Sequence, residues 1–196
     1  MKTVDIKAVA RENTGKAATK KVRRQDLIPA TVYGLGDPEN ISVDYQTLKK
    51  LLHSPETYIV NLDVDGKATP SIIRESQFHP VTDSILHVDF LRVSDKEPVE
   101  VQLPIKLVGT AKGILAGGKL VPLSRRLKVR GIVSQLPEFV EIDISDLDLG
   151  QTITVAGANI QGLDVTSPAS TGVAIVDIPR AVRQAQQEAA KEAASA

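Results

Sequence analysis

The chain has 196 residues, 42% of them hydrophobic, and its 24 basic and 24 acidic side chains cancel to a formal net charge of zero. It contains no cysteine, which excludes disulfides, zinc–thiolate sites and cysteine catalysis. The first residues carry charges where a signal peptide needs an apolar core, and no apolar stretch approaches the ~20 residues of a membrane span. We therefore expect a cytosolic, soluble protein.

Basic residues are concentrated near the N-terminus. Residues 1–25 hold eight basic and two acidic side chains, a net charge of +6, whereas residues 26–93 hold five basic and ten acidic ones, a net charge of −5. The densest part of the cluster is the segment GKAATKKVRR, from Gly15 to Arg24. This split predicts a basic edge on an otherwise acidic domain, which the net charge of the whole chain conceals.

Taken in chain order, the first half predicts mostly strands. Alternation in VDIKA indicates an opening strand, and the basic cluster then fits a short helix that begins near Gly15 and ends before Pro29. The segments ATVYG and ISVDY are typical of strands, with an amphipathic helix in QTLKKLLHS. A hairpin is predicted in TYIVNLDVDGKATPSII, turning at Asp65-Gly66, and a further strand in ILHVDFLRV.

The composition changes near residue 94. The segments VEVQLPIKLVG, RLKVRG, FVEIDIS, QTITV and GVAIVDIP predict further strands, and Pro104 indicates an edge position for the first of them. After Pro179 an Ala-, Gln- and Glu-rich stretch suggests a helical or disordered tail. We therefore predict a mainly β protein with short helices, divided into domains over residues 1–93 and 94–179 and a tail over residues 180–196.

The predicted first helix carries a cationic face. Lys16, Lys20 and Arg23 fall on one side of the helical wheel, with Ala18 and Val22 nearly opposite. Basic side chains on one face are typical of contacts to the phosphates of nucleic acid. A solvated charged face is the commoner explanation of such a run, and the charge split favours RNA or DNA over it.

A second polar group lies in SQFHPVTDSILHVDF. Strand geometry places His87 and Asp89 on one face, opposite the apolar residues of the strand, where with Gln77 they could meet base edges or ribose hydroxyls. The pattern His-x-Asp with His79 or His53 upstream is also compatible with a metal site. Hydrogen bonding between polar side chains across the sheet is the simpler alternative, and we favour it over metal.

Two further sequence patterns are weaker indications of function. GILAGGKL matches the start of a phosphate-binding loop, but Leu120 stands where a magnesium-ligating hydroxyl is needed, and Gly117-Gly118 is better explained as a turn between strands. In SRRLKVRG, Arg126, Lys128 and Arg130 alternate with apolar residues, as a solvated strand face or a second contact surface would. No catalytic motif is present, so we do not expect an enzyme.

Several segments, in this order, resemble a known family: GKAATKKVRR, IPATVYG, QFHPV, LHVDF, LPIKLVG, GILAGGKL and LPEFVEIDISDLDLGQTI. Together they are similar to the L-twenty-five (L25p) family of bacterial large-subunit ribosomal proteins, in the longer two-domain form often called the general stress protein CTC. The resemblance covers about residues 3–179.

The resemblance implies an N-terminal β-barrel that binds 5S rRNA at its internal-loop region, in the central protuberance of the large ribosomal subunit. It implies a C-terminal β domain that packs against neighbouring ribosomal components. The expected protein is a ribosome-associated, cytoplasmic structural component, with no cofactor, metal, membrane or small-molecule substrate. The alternative is a stress-related accessory protein that binds RNA or ribosomes without being a stable part of the subunit.

Carrying the family's RNA contacts over gives eight residues: Arg11, Lys16, Lys20, Arg23, Tyr33, Gln77, His87 and Asp89. The chain departs from the family at Ala17, where glycine is common, and at Lys20 and Lys21, where arginine pairs are common; lysine cannot bind phosphate bidentately. We expect the helix cations to neutralise phosphates and the strand residues to hydrogen-bond in a widened minor groove. Asp89 would then be a specificity residue, because a carboxylate near phosphates needs a donor to accept from.

Overall fold

The computed structural model describes residues 1–158, 160 and 162–179, so the tail predicted from residue 180 onward lies outside the described residues. The first half of the chain forms β1 (Lys2–Ala10), α1 (Lys16–Arg23), β2 (Leu27–Tyr33), β3 (Glu39–Asp44), α2 (Tyr45–Leu52), β4 (Tyr58–Val64), β5 (Lys67–Phe78) and β6 (Ile85–Arg92). The second half forms β7 (Val99–Val108), α3 (Lys112–Leu115), β8 (Lys119–Pro122), β9 (Arg126–Gly131), a 3₁₀ turn (Val133–Gln135), β10 (Val140–Asp143), β11 (Thr152–Thr154), β12 (Asp164–Val165) and β13 (Gly172–Asp177). The prediction of a mainly β chain with short helices is confirmed.

The chain divides into two compact units that do not follow each other simply along the sequence. The first unit comprises Met1–Val101 and Arg130–Glu138. The second comprises Gln102–Val129 and the described residues from Phe139 onward. A nine-residue segment therefore belongs to the first unit although the chain reaches it only after entering the second.

Strands β1 to β6 of the first unit close into a barrel, in the order β1-β3-β2-β6-β5-β4. Parallel pairing of β1 with β4, from Lys2 opposite Tyr58 to Ala8 opposite Val64, completes the circle. The hairpin of β4 and β5 turns at Asp65 and Gly66, which both have positive φ, 52° and 84°, as the tightest two-residue turns require. The expected N-terminal barrel is confirmed.

Alternate residues of the barrel strands fill its interior. The interior side chains include several with no exposed surface, namely Val32, Ile41, Val43, Val60, Leu62, Val88 and Phe90. Burial of each large apolar side chain contributes about 1.5–3 kcal/mol. The residues between them must face outward, and that requirement sets which side chains the barrel offers to a partner.

Helix α2 covers part of the barrel core and begins at a strong cap. Leu48 and Leu51 are buried, as the amphipathic pattern predicts. Asp44 accepts hydrogen bonds from the backbone N–H and the hydroxyl of Thr47, at 2.8 and 2.9 Å. These bonds stabilise the ionised carboxyl and lower the pKa of Asp44 below its ordinary value of 3.8.

Asp44→Ala is expected to lower the free energy of unfolding by about 1 kcal/mol near neutral pH, because the helix loses its cap. Since the pKa of Asp44 is lowered in the folded state, the stabilisation is present above the ordinary value near 4 and is lost as the pH falls through the folded value. Urea unfolding at pH 7 and at several values below pH 4 checks both statements. Asp44→Asn is the control, as it keeps a capping oxygen without the charge; a deficit in Asp44→Ala that persists unchanged in acid would contradict the role of the ionised cap.

The second unit contains strands of two sheets, ordered β10-β7-β9-β12 and β11-β13-β8, so the expected second β-rich half is confirmed. The edge position predicted from Pro104 is wrong, because β7 lies between β10 and β9. The N–H of Ile105 donates to Arg125 O, so the missing N–H of Pro104 faces the β10 side. Pairing with β10 begins only at Ile105, opposite Val140, and no ladder bond is lost there.

A short helix explains the glycine pair of the second unit. Gly117, with φ of 89°, follows α3, and Gly118 leads into β8. The pair therefore lies between a helix and a strand, and the prediction of a turn between two strands is wrong. Strand β8 begins at Lys119, within the segment GILAGGKL, whereas a phosphate-binding loop needs a helix there.

Candidate nucleic-acid interface

Helix α1 presents the basic cluster at the surface of the first unit. It follows Gly15, the N-cap residue, whose φ of 109° is a conformation that favours glycine, and Thr19 donates its hydroxyl to Gly15 O at 3.0 Å. Ala18 and Val22 are half-buried, while Lys16 and Lys20 are exposed. The helix therefore has the cationic face that its sequence predicts.

Arg23 ties this helix to strand β6. Its Nε and Nη2 atoms donate to the carbonyl oxygen of Leu86 at 3.1 and 2.9 Å. The carbonyl belongs to the residue at which the β5–β6 register shifts, between Gln77 opposite His87 and Phe78 opposite Ile85. Two N–H groups of Arg23 are thus engaged within the protein, so the side chain positions α1 against the strand that carries His87 and Asp89.

Five neighbouring strands bring one residue each into a single line on the outside of the barrel. The N–H of Arg11, one residue beyond β1, donates to Asn40 O at 2.8 Å. Asn40 stands opposite Thr31, and Thr31 opposite Asp89. Asp89 in turn stands opposite Glu75 of β5. We call this line the outer row; its members are Arg11, Asn40, Thr31, Asp89 and Glu75.

The other predicted strand residues lie beside the outer row. His87 precedes Asp89 by two residues, so both share the outer face of β6, and Gln77 stands opposite His87. Tyr33 follows Thr31 by two residues on β2 and is half-buried. The structure thus places Arg11, Tyr33, Gln77, His87 and Asp89 on one sheet surface, with α1 attached to it through Arg23.

Side chains of the outer row and His87 form a connected polar chain. His87 Nδ1 lies 3.1 Å from Asp89 Oδ1, and each side chain is 26% exposed. His87 Nε2 lies 3.4 Å from Thr31 Oγ1, and the Thr31 hydroxyl donates to Asn40 Oδ1 at 3.5 Å. Four residues from three strands therefore share one half-buried network that remains open to a ligand.

Arg11 has unused donors at the end of this row. Within residues 1–158, 160 and 162–179, its Nε and Nη1 atoms are buried and have no hydrogen-bond partner. A buried donor without a partner is costly, and guanidinium N–H groups match phosphate oxygens in geometry. Arg11 therefore adds a positive charge at the end of the outer row, and its contact with an anionic partner stays a prediction.

Thr31 and Asn40 are members of this surface that the sequence did not indicate. Thr31 could have been found from the alternation of ATVYG, in which Ala30 and Val32 are buried and Thr31 is not. Asn40 carries no such signal, because its place beside Arg11 depends on the pairing of β1 with β3 and of β3 with β2. Only the register reveals it.

His79, the alternative metal ligand, has a local structural role. Its Nδ1 accepts hydrogen bonds from the backbone N–H groups of Val81 and Thr82, both at 3.3 Å, which fixes the loop between β5 and β6. Among the described residues no group of three or more His, Asp or Glu is arranged to hold a metal ion.

The basic strand of the second unit has the predicted alternation. Leu127 and Val129 are buried, and Arg126 and Lys128 are exposed. A contact through this face stays a prediction. As for membranes, the helices of the described part of the chain include none that is long and apolar enough to cross one.

Comparisons with known proteins cover most of the chain. Residues 6–90 match the model of the Ribosomal L25p family, and residues 98–180 match that of the Ribosomal protein TL5, C-terminal domain. A protein of Porphyromonas gingivalis is 42% identical over 187 residues, which cover 94% of this chain and 97% of the relative. Proteins of Phocaeicola vulgatus and Bacteroides thetaiotaomicron are 37% and 35% identical, covering 97% of this chain and all of each relative. All three relatives are named large ribosomal subunit protein bL25.

Proposed function

The chain belongs to the Ribosomal L25p family, and from this premise we propose that it binds the internal-loop region of 5S rRNA through α1 and the outer row. It is a structural protein of the large ribosomal subunit, ribosome-associated in the cytoplasm, and not an enzyme. The observation that carries the RNA proposal is the connection of a cationic helix to a row of polar side chains by the Arg23–Leu86 hydrogen bonds.

The helix supplies the electrostatic part of the proposed contact. Exposed Lys16 and Lys20 can neutralise phosphates and release counterions, which gives affinity without sequence preference. Arg11, at the end of the outer row, extends this positively charged footprint to the sheet surface. The acidic residues of the rest of the barrel would limit binding to unrelated RNA.

The sheet surface supplies the specific part. Regular A-form RNA offers side chains only a shallow minor groove, whereas internal loops expose base edges and ribose hydroxyls. Gln77, His87 and Asp89 offer donors and acceptors on one face, and the half-burial of His87 and Asp89 strengthens hydrogen bonds made there. Such a surface distinguishes a loop from a regular helix.

The proposal divides the work between the two parts of the chain. RNA binding is assigned to residues 1–93, and contacts with neighbouring ribosomal components to residues 94–179. The exposed Arg126 and Lys128 of β9 are the candidates for such contacts in the second part.

A salt titration of binding to 5S rRNA tests the proposal, with the intact internal loop and with a fully base-paired replacement. Wild type is expected to prefer the intact loop, and Lys20→Ala is expected to reduce the log–log salt slope by about 0.7–0.9, the value for one lost phosphate contact.

Lys50→Ala is the matched control, because Lys50 is an exposed lysine on α2, the other helix of the barrel unit. It should leave the slope unchanged. Equal binding of both RNAs by wild type, or equal slopes for Lys20→Ala and wild type, would contradict the proposal.

A further inference from the structure

Asn40 lies between Arg11 and Thr31 in the outer row. On one side its backbone carbonyl accepts from the N–H of Arg11, at 2.8 Å. On the other side its Oδ1 accepts from the Thr31 hydroxyl, at 3.5 Å. Asn40 is half-buried at the surface of the sheet.

The contact with Thr31 leaves both a donor and an acceptor of the amide for a ligand. A side-chain amide offers two N–H donors and two carbonyl lone pairs. Thr31 Oγ1 lies 3.5 Å from Asn40 Oδ1 and occupies one of these four positions. Asn40 therefore keeps at least one N–H donor and one carbonyl lone pair side by side.

A paired donor and acceptor match only one base in the minor groove. Adenine and the pyrimidines offer acceptors alone on that edge, and guanine adds the N2 amino donor beside the N3 acceptor. An amide that meets guanine there pairs with N2 and N3 of the same base, whereas with any other base its oxygen finds no donor on the base and has only ribose 2′-hydroxyls to accept from. Arg11, whose backbone N–H donates to Asn40 O, is the adjacent cation that can neutralise a nearby phosphate.

We propose that Asn40 recognises the minor-groove N2/N3 edge of a guanosine in the bound RNA, with Arg11 on a neighbouring phosphate and Thr31 as the residue that positions the amide. This inference rests on the proposed function, because it names the base feature that the RNA surface distinguishes. It concerns Asn40 and Thr31, which lie between the residues predicted from the sequence and join them.

Inosine substitution tests the inference, because inosine is guanosine without the N2 amino group. The RNA is a 5S rRNA fragment with the internal loop and its flanking helices, in which each loop guanosine is replaced singly by inosine. Wild type is expected to lose about tenfold in affinity at one position, the scale of one lost paired contact. Asn40→Ala is expected to lose about as much on the unmodified RNA and to show no further loss with inosine at that position.

Two further variants separate a specific role from a structural one. Asn61→Ala removes an amide from β4 of the same barrel, where it donates a hydrogen bond to Asp5. This variant should bind like wild type and should show the full inosine penalty, by which we mean the loss of affinity when inosine replaces the recognised guanosine. Thr31→Val keeps the shape of Thr31 and removes its hydroxyl, so it should reduce the inosine penalty only in part. Thermal unfolding of every variant confirms that each is folded.

Each contrary outcome has a distinct meaning. An inosine penalty that persists in full in Asn40→Ala, or that is absent from wild type at every position, overturns the inference while loop-dependent binding stands. A penalty that instead disappears in Asp89→Ala assigns the amino group to the carboxylate and overturns it too. Loss of loop preference in wild type itself contradicts the proposed function.

Discussion

Phe90→Ala is expected to lower the free energy of unfolding of the barrel by about 3–5 kcal/mol, the cost of removing a fully buried aromatic side chain and leaving a cavity. Phe90 has no exposed surface and is among the largest of the fully buried side chains. It lies on β6 immediately after Asp89, so the same strand that presents the polar face outward is held in place by this ring.

Tyrosine fluorescence in a urea titration measures this effect on the first unit alone. The chain has no tryptophan, and its three tyrosines, Tyr33, Tyr45 and Tyr58, all belong to that unit. Phe139→Ala is the matched control, since Phe139 is 36% exposed and belongs to the second unit. The control should leave the tyrosine transition in place; a Phe90→Ala loss below about 1 kcal/mol would contradict tight packing at this site.

Asp89→Ala is expected to weaken binding to the intact 5S rRNA loop by about tenfold or more and to leave binding to the base-paired replacement unchanged. The carboxylate contacts His87 at 3.1 Å, so the substitution removes an acceptor from the surface and releases the ring of His87. Contacts of this kind specify rather than position, and their loss therefore reduces the preference for the loop. Filter binding of both RNAs at one salt concentration gives the ratio of affinities.

Removal of a negative charge alone could raise affinity for any RNA, and Asp5→Ala controls for that effect. Asp5 lies on the outside of β1 and is hydrogen-bonded to Asn61, away from the outer row. It should alter binding to the two RNAs equally. An unchanged preference for the intact loop in Asp89→Ala would show that the carboxylate takes no part in specificity.

The locally determined features of this surface follow from the sequence. Spacing along one helix places Lys16 and Lys20 together, and alternation along one strand places His87 beside Asp89, because both depend only on residues a few positions apart. The hairpin of β4 and β5 follows from Asp65-Gly66 for the same reason. These features are present as predicted.

Features that depend on the pairing of strands far apart in the sequence could not be predicted from local spacing and alternation. Asn40 and Thr31 join the surface through the pairing of β3 with β2. The engagement of Arg23 by the Leu86 carbonyl depends on the register shift in β5–β6. Proline has no backbone N–H, so Pro104 predicts an edge strand. The sequence does not show that the neighbouring strand β10 starts to pair only at Ile105. A single chain gives residue types and periods, and register is set by contacts between segments far apart.

The segment Arg130–Glu138 is the last part of the first unit to be synthesised. Translation proceeds from the N-terminus at about 5–20 residues per second, and about 46 residues separate Arg92, the end of the last barrel strand, from Glu138, the end of this segment. All six strands of the barrel therefore leave the peptide tunnel about 2–9 seconds before the last residue of their own unit does. A chain cut after residue 101 would keep every barrel strand and would lack only this late-arriving segment of the first unit.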